Sequence, residues 1–132
     1  MRYFRAMRAD ADQFPRIGQS GALLGVRVAE PADVEIVDGV VKPRSGGMSV
    51  AAENPRHLPD HRRPKTLGGT GTYPVFSIQE EHLGEELEAY LDDLNGTDPY
   101  HFVIAPRQSC PFLAYERAIH ATRERWTHVH ID

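Results

Sequence analysis

The chain has 132 residues and one cysteine, Cys110, so it is sized for one domain and no internal disulfide can form. With 40% hydrophobic and 26% charged residues it has the composition of an ordinary globular domain, not of a disordered or fibrous chain. No apolar run approaches the ~20 residues of a transmembrane helix, and the formal net charge of −4 argues against a dedicated nucleic-acid module.

The opening MRYFRAMRADADQF alternates charge with aromatics and lacks the apolar stretch of a secretory signal. The lone cysteine fits a reducing cytoplasm. The expectation is a cytoplasmic protein with no cleavable signal and no membrane contact, in the producing cell or in a target cell after delivery.

In chain order, RYFRAMR (2–8) suits a strand with aromatic content, and ADADQFPRIGQSG reads as a loop. ALLGVRVAE (22–30) suggests a second strand. In DVEIVDGVVKP (33–43), Asp38-Gly39 between apolar runs predicts a β-hairpin. From Arg44 to Tyr73 the hydrophobic periodicity is weak, and Pro55, Pro59, Pro64 and GGTG (68–71) mark a long basic loop. YPVFSI (73–78) reads as a strand. EEHLGEELEAYLDDL then places Leu83, Leu87, Tyr90, Leu91 and Leu94 at helical spacing, against the cost of Gly84, and predicts a short acidic helix. HFVIAP (101–106) is a strand ended by Pro106. In SCPFLAYERAIHATRERW, Ser109 is a candidate cap with Pro111 in the first turn. Phe112, Tyr115, Ile119, Thr122 and Trp126 make one helical face, more readily core than cofactor box. THVHID suggests a last short strand. The pattern is α+β throughout residues 1–132: several short strands, two modest helices and one long basic loop.

Charge divides the molecule. Between Ser77 and Asp98 lie eight acids and no Lys or Arg; taking them from the 19 acids leaves 11 against 15 Lys and Arg. Much of the positive charge lies in Lys42–Lys65, a segment suited to phosphates.

His57 and His61 are four apart, but Pro59 between them opposes a regular helix, and spacing identifies no third ligand, so no metal site is expected. Cys110 near a helix start is a candidate nucleophile by dipole, with a small apolar residue as the stronger reading. GGTG lacks the Gly-Lys-Ser/Thr of a P-loop. The basic patch of Arg56, His57, His61, Arg62, Arg63 and Lys65 carries no aromatic residue for stacking single strands. Three polar positions remain on strands or strand ends: Arg5, Ser49 after Gly46-Gly47-Met48, and His101 at the head of HFVIAP.

That order of motifs (aromatic-Arg, Gly-Gly-x-Ser-Val, His-aromatic-x-Ile-x-Pro, then a helix ending near Trp126) resembles the NAD-dependent ADP-ribosyltransferase-like toxins typified by the second exported effector of a type VI secretion system. The resemblance runs from YFRAM to TRERW. It implies a single ADP-ribosyltransferase-like toxin domain, a split pair of small antiparallel sheets with an NAD cleft between them. It implies NAD as substrate, transfer of ADP-ribose to a cellular target or cleavage of NAD, and a neutralising immunity or antitoxin protein as partner. The catalytic set would be Arg5, Ser49 and His101. Tyr3, Arg44, Gly46, Gly47, Met48 and Arg62 would bind NAD, with guanidinium forks on the pyrophosphate and glycines letting the ligand approach.

The chain departs from the wider superfamily at two places. Of the Ser-Thr-Ser strand start only Ser49 is kept, and Phe102 falls at or beside the position of the usual catalytic Glu. Neither Phe nor a neutral His supplies the negative charge that steadies the ribose as nicotinamide leaves. The alternative is a non-enzymatic toxin module that binds protein or nucleic acid through its basic loop.

Overall fold

The computed structural model describes residues 1–92 and 98–130. They form an α+β fold in which the strand pairs are antiparallel: β1 (Arg2–Ala6), β2 (Ile36–Val37), β3 (Val40–Val41), β4 (Met48–Ala52), β5 (Val75–Gln79), β6 (Leu87–Leu91), β7 (His101–Pro106), β8 (Cys110–Pro111) and β9 (Thr127–His128), with one α-helix, α1 (Phe112–His120), among the described residues. Six strands form a sheet in the order β6-β7-β4-β1-β5-β9, and β2-β3-β8 form a smaller one.

The larger core lies on one face of the six-stranded sheet. Tyr3, Met48, Val50, Phe76, Ile78 and Ile104 from the strands pack there with Tyr115, Ile119 and Trp126 of the helical segment. Burial of these apolar side chains stabilises the fold by roughly 1.5–3 kcal/mol each. The polar atoms that enter this layer are paired. Trp126 donates its Nε1–H to Thr122 Oγ1 at 2.9 Å, and that hydroxyl donates to the Ile119 carbonyl at 2.6 Å. The Tyr115 hydroxyl donates to the Ile104 carbonyl at 2.6 Å and accepts from the Met48 N–H, tying α1 to β4 and β7. On the opposite face Phe4, Ala6, Ala51, Leu58 and Val75 form a smaller cluster.

Several elements follow the sequence pattern. The Asp38-Gly39 hairpin forms, with φ of 52° and 76°, the positive values that its tight turn requires. β1, β5 and β7 lie within the runs RYFRAMR, YPVFSI and HFVIAP or overlap them to within a residue.

Other elements differ, for identifiable reasons. The predicted acidic helix is a 3-10 turn (Glu80–His82) followed by strand β6. Gly84, at φ +93°, separates the two, and pairing with β7 from Leu87↔Pro106 to Leu91↔Phe102 buries Leu87 and Tyr90. Sheet pairing overrides a weak helical pattern here. Leu94 of that pattern lies outside the described residues. ALLGVRVAE makes no strand beyond an isolated bridge between Ile17 and Leu24, and an arginine takes two of its carbonyls, as described below. The helix over Phe112–His120 starts later than expected. Cys110 and Pro111 pair with β3, and Pro111, not Ser109, occupies the cap position.

The long basic segment opens with a central strand, β4, and is otherwise closed on itself. Arg63 donates to the Leu58 and Leu67 carbonyls at 3.0 Å each and pairs with Asp60. Gly69 and Gly71 donate their N–H groups to Pro64 and Arg63 carbonyls at 3.0 and 2.8 Å. GGTG is thus a packed turn whose amides serve the fold.

Candidate functional site

The six-stranded sheet is forked. β1 and β4 are in register only at Tyr3↔Ala52 and Phe4↔Ala51. Beyond that, β1 continues along β5 to Ala6↔Val75, while β4 continues along β7 to Met48↔Ile104. Two sub-sheets, β1-β5-β9 and β4-β7-β6, therefore part at Arg5 and Val50. A cleft of about 400 Å³ opens there, within the usual size of a small-molecule site. Arg5 and Ala6 line it from one branch, Ser49, Val50 and Ala51 from the other, and His101 from β7. The segment from His57 to Arg62 and the loops at Gly21, Arg27, Asp33 and Asp98 complete the walls.

Arg5 is 4% exposed. Its Nη1 reaches across the fork to the Ser49 carbonyl at 2.6 Å. Nε and Nη2 donate to Leu23 at 3.2 and 2.9 Å, and Nη2 also to Ser20 at 3.1 Å and Gly25 at 3.2 Å. One guanidinium thus replaces a neighbouring strand for the 20–25 loop and pins that loop to β4. Burial lowers its pKa to about 10, opposed by the charge of Asp33, so it stays a cation at neutral pH. Its donors serve the cleft wall, and what it offers a ligand is charge.

Ser49 is partly exposed, with its side chain on the face away from the main core. His101 stands opposite Ala51 on the same sheet face as Ser49. Phe102 points the other way, with its ring 5.6 Å from that of Tyr3 against the main core. Strand alternation thus gives the cleft His101 and removes Phe102 from it. The Nδ1 of His101 lies 3.3 Å from Oδ2 of Asp92, whose side chain is 4% exposed. His57 donates from Nδ1 to the Ala52 carbonyl at 2.8 Å and stacks on Tyr100 with centroids 3.5 Å apart. His61 stands exposed at the rim.

Of the expected NAD-binding positions, Arg62 lines the cleft. Its guanidinium lies against Gly21, where an added Cβ would come 3.0 Å from Nη2, and over the ring of Tyr73. The others lie elsewhere. Tyr3 is core, its hydroxyl donating to Glu80 at 2.9 Å and held up in pKa by burial. Arg44 sits on Tyr90, 4.2 Å from the ring centroid, and 3.8 Å from Glu88. Met48 is 1% exposed in the main core. The two glycines admit backbone rather than ligand. A Cβ on Gly46, at φ +122°, would strike the Asp33 carbonyl, and one on Gly47 the Ile104 carbonyl.

Cys110 is partly buried, and desolvation pushes its thiol pKa up, the opposite of an activated nucleophile. Among the described residues no group of three or more His, Cys, Asp or Glu could hold a metal ion, and no helix is long and apolar enough to cross a membrane.

Sequence reading did not single out Asp33, Asp92 or Asp98. Asp98 caps its own turn, accepting from the Tyr100 N–H at 2.9 Å, and Asp33 pairs with Arg27. The one available signal was Asp98-Pro-Tyr just ahead of His101, a turn dipeptide that delivers the strand. No family model matches the chain, and no curated protein or solved structure does.

Proposed function

We propose that this chain is an ADP-ribosyltransferase-like toxin domain that binds NAD in the forked cleft and transfers ADP-ribose to an acceptor, or to water. The observation that carries the reading is the fork itself. Three polar residues from three strands, Arg5, Ser49 and His101, line one cleft, and Arg62 stands on its wall. They are far apart in sequence, and they are the residues that the motif order singles out.

In this reading the Ser49 hydroxyl hydrogen-bonds the nicotinamide carboxamide beside the fork. Arg62 takes the pyrophosphate, for which a guanidinium fork is suited. The buried charge of Arg5 reinforces that preference for an anion. As nicotinamide leaves, its C1′–N bond breaks with the electron pair on nitrogen, and positive charge grows on the ribose. Of the two carboxylates on the cleft wall, Asp33 and Asp98, this reading assigns Asp98, whose carbonyl accepts from the His101 N–H, to face that charge. A cell holding such an activity requires a protein that blocks it, and the exposed rim at His61 is a surface where a neutralising partner would close the cleft.

The test is purified protein with NAD, reading free nicotinamide. Release that falls in Ser49→Ala and His101→Ala, with both variants folded, supports the reading. No release and no calorimetric binding of NAD by the unaltered chain would sink it. In that case salt-sensitive capture of a macromolecule through the basic segment becomes the better account.

A further inference from the structure

We infer that Asp92 is a positioning residue for His101, and that the two act as a carboxylate–imidazole pair removing a proton from the acceptor of ADP-ribose. The inference rests on the NAD reading of the cleft and deepens it by naming the acceptor's chemistry.

The geometry is set by the register of β6 and β7. The last pair of β6 and β7 is Leu91↔Phe102, so Asp92 falls opposite His101 on the same sheet face. The Asp92 N–H donates to the His101 carbonyl at 2.9 Å, which fixes both backbones. The two side chains meet with Nδ1 3.3 Å from Oδ2. Asp92 is 4% exposed while His101 is 31% exposed and lines the cleft. The carboxylate is thus behind the ring, and the ring is between it and the cleft.

In the proposed pair the ring proton is on Nδ1, the nitrogen 3.3 Å from the carboxylate, and Nε2 presents a lone pair to the cleft. A base held this way removes a proton from a neutral O–H or N–H acceptor as it attacks. The acceptor atom bonds to C1′, the C1′–N bond breaks, and nicotinamide leaves with the electron pair. The acceptor's proton passes to Nε2, and Asp92 faces the imidazolium that results. The acceptor class is therefore a hydroxyl, an amide or water. A group already present as an anion at neutral pH, such as a carboxylate, needs no such base.

The test uses the whole chain with NAD and with water as acceptor, together with 15N NMR of the imidazole rings without NAD. In the unaltered protein the neutral His101 ring shows a protonated Nδ1 and a bare Nε2. Asp92→Ala moves it toward the Nε2-protonated form, and Asp92→Glu restores much of the original pattern. Nicotinamide release falls about 10²-fold in Asp92→Ala, and Asp92→Ala/His101→Ala is no slower than His101→Ala alone, as expected of residues acting as a unit.

Thermal melting checks that each variant folds, and Asp92→Asn, nearly the same shape, serves if the alanine variant does not. A ring pattern indifferent to Asp92, or rate losses that multiply in the double variant, would overturn the pairing. If the unaltered chain releases no nicotinamide, the NAD reading fails, and the NMR result alone decides whether Asp92 positions the ring.

Discussion

The six-stranded sheet and the segment from Met7 to Glu35 beside it both have to pair their backbone polar groups, and they do so by different means. In the sheet, strands pair with strands and apolar side chains close the layer. The segment has a few turn bonds, such as Arg8 N–H to the Ala22 carbonyl and Leu24 N–H to the Arg16 carbonyl, and two guanidinium clamps. Arg5 holds Ser20, Leu23 and Gly25, and Arg123 holds the Pro15 carbonyl together with the carboxylates of Asp10 and Asp12. A sheet tolerates the loss of one side chain because its ladder is continuous. A clamped loop depends on single residues, and the cleft is built where the two constructions meet.

Breaking the Arg5 clamp has the largest expected effect. Arg5→Ala leaves several buried carbonyls unpaired and frees the cleft wall, at a cost of about 3–5 kcal/mol in urea unfolding. Arg5→Lys recovers little of it, because a point charge does not replace a planar fork.

Next, changes on the sheet side of the cleft leave the fold standing. His101→Ala lowers nicotinamide release by about 10²- to 10⁴-fold, the usual worth of a positioned acid–base group. Its unfolding free energy falls by no more than about 1 kcal/mol, since the ring is partly exposed. Smaller again, Arg62→Ala raises KM for NAD about 10-fold with kcat nearly held, as loss of a phosphate contact common to ground and transition state would do. Arg44→Ala sharpens the contrast, because that side chain is exposed and on Tyr90, outside the cleft. Both NAD kinetics and stability should stay within about 0.5 kcal/mol of the unaltered chain.

The smallest effect is one of pH. Hydrogen bonds from Arg16 and Arg123 hold the carboxyls of Asp10 and Asp12 below their ordinary value of 3.8. Their contribution is present above that value and fades as pH falls through the lower folded-state values. Arg123→Ala should therefore flatten the acid limb of a stability–pH curve and leave its neutral region nearly parallel to that of the unaltered chain.

The sheet half of this contrast was readable in the sequence and the clamped half was not. The aromatic content of RYFRAMR and the apolar run HFVIAP ended by Pro106 are enough to place β1 and β7, and Asp38-Gly39 between apolar runs places the hairpin. The apolar run 22–30 looks like a strand because periodicity records which side chains are buried, not which group takes the carbonyls. Leu87, Tyr90 and Leu91 fit the helical period, and only β7 as a neighbour makes the segment a strand, with Leu87 and Tyr90 in different apolar clusters. At the site, motif order points to Arg5, Ser49 and His101, and the basic loop to Arg62, and these four line one cleft. The role of Arg5 in the wall, and Asp92 behind His101, depend on cross-strand register that no linear spacing contains. At Gly46 and Gly47 the sequence suggests close approach of a ligand, whereas the groups against them are the Asp33 and Ile104 carbonyls of the protein's own backbone.

The central claim is that NAD occupies the fork, and a structure determined with NAD tests it most directly. The account predicts the nicotinamide ring beside Ser49, the reacting ribose toward His101 and the pyrophosphate on Arg62. NAD bound away from the fork, or a cleft left empty at millimolar NAD, would contradict it.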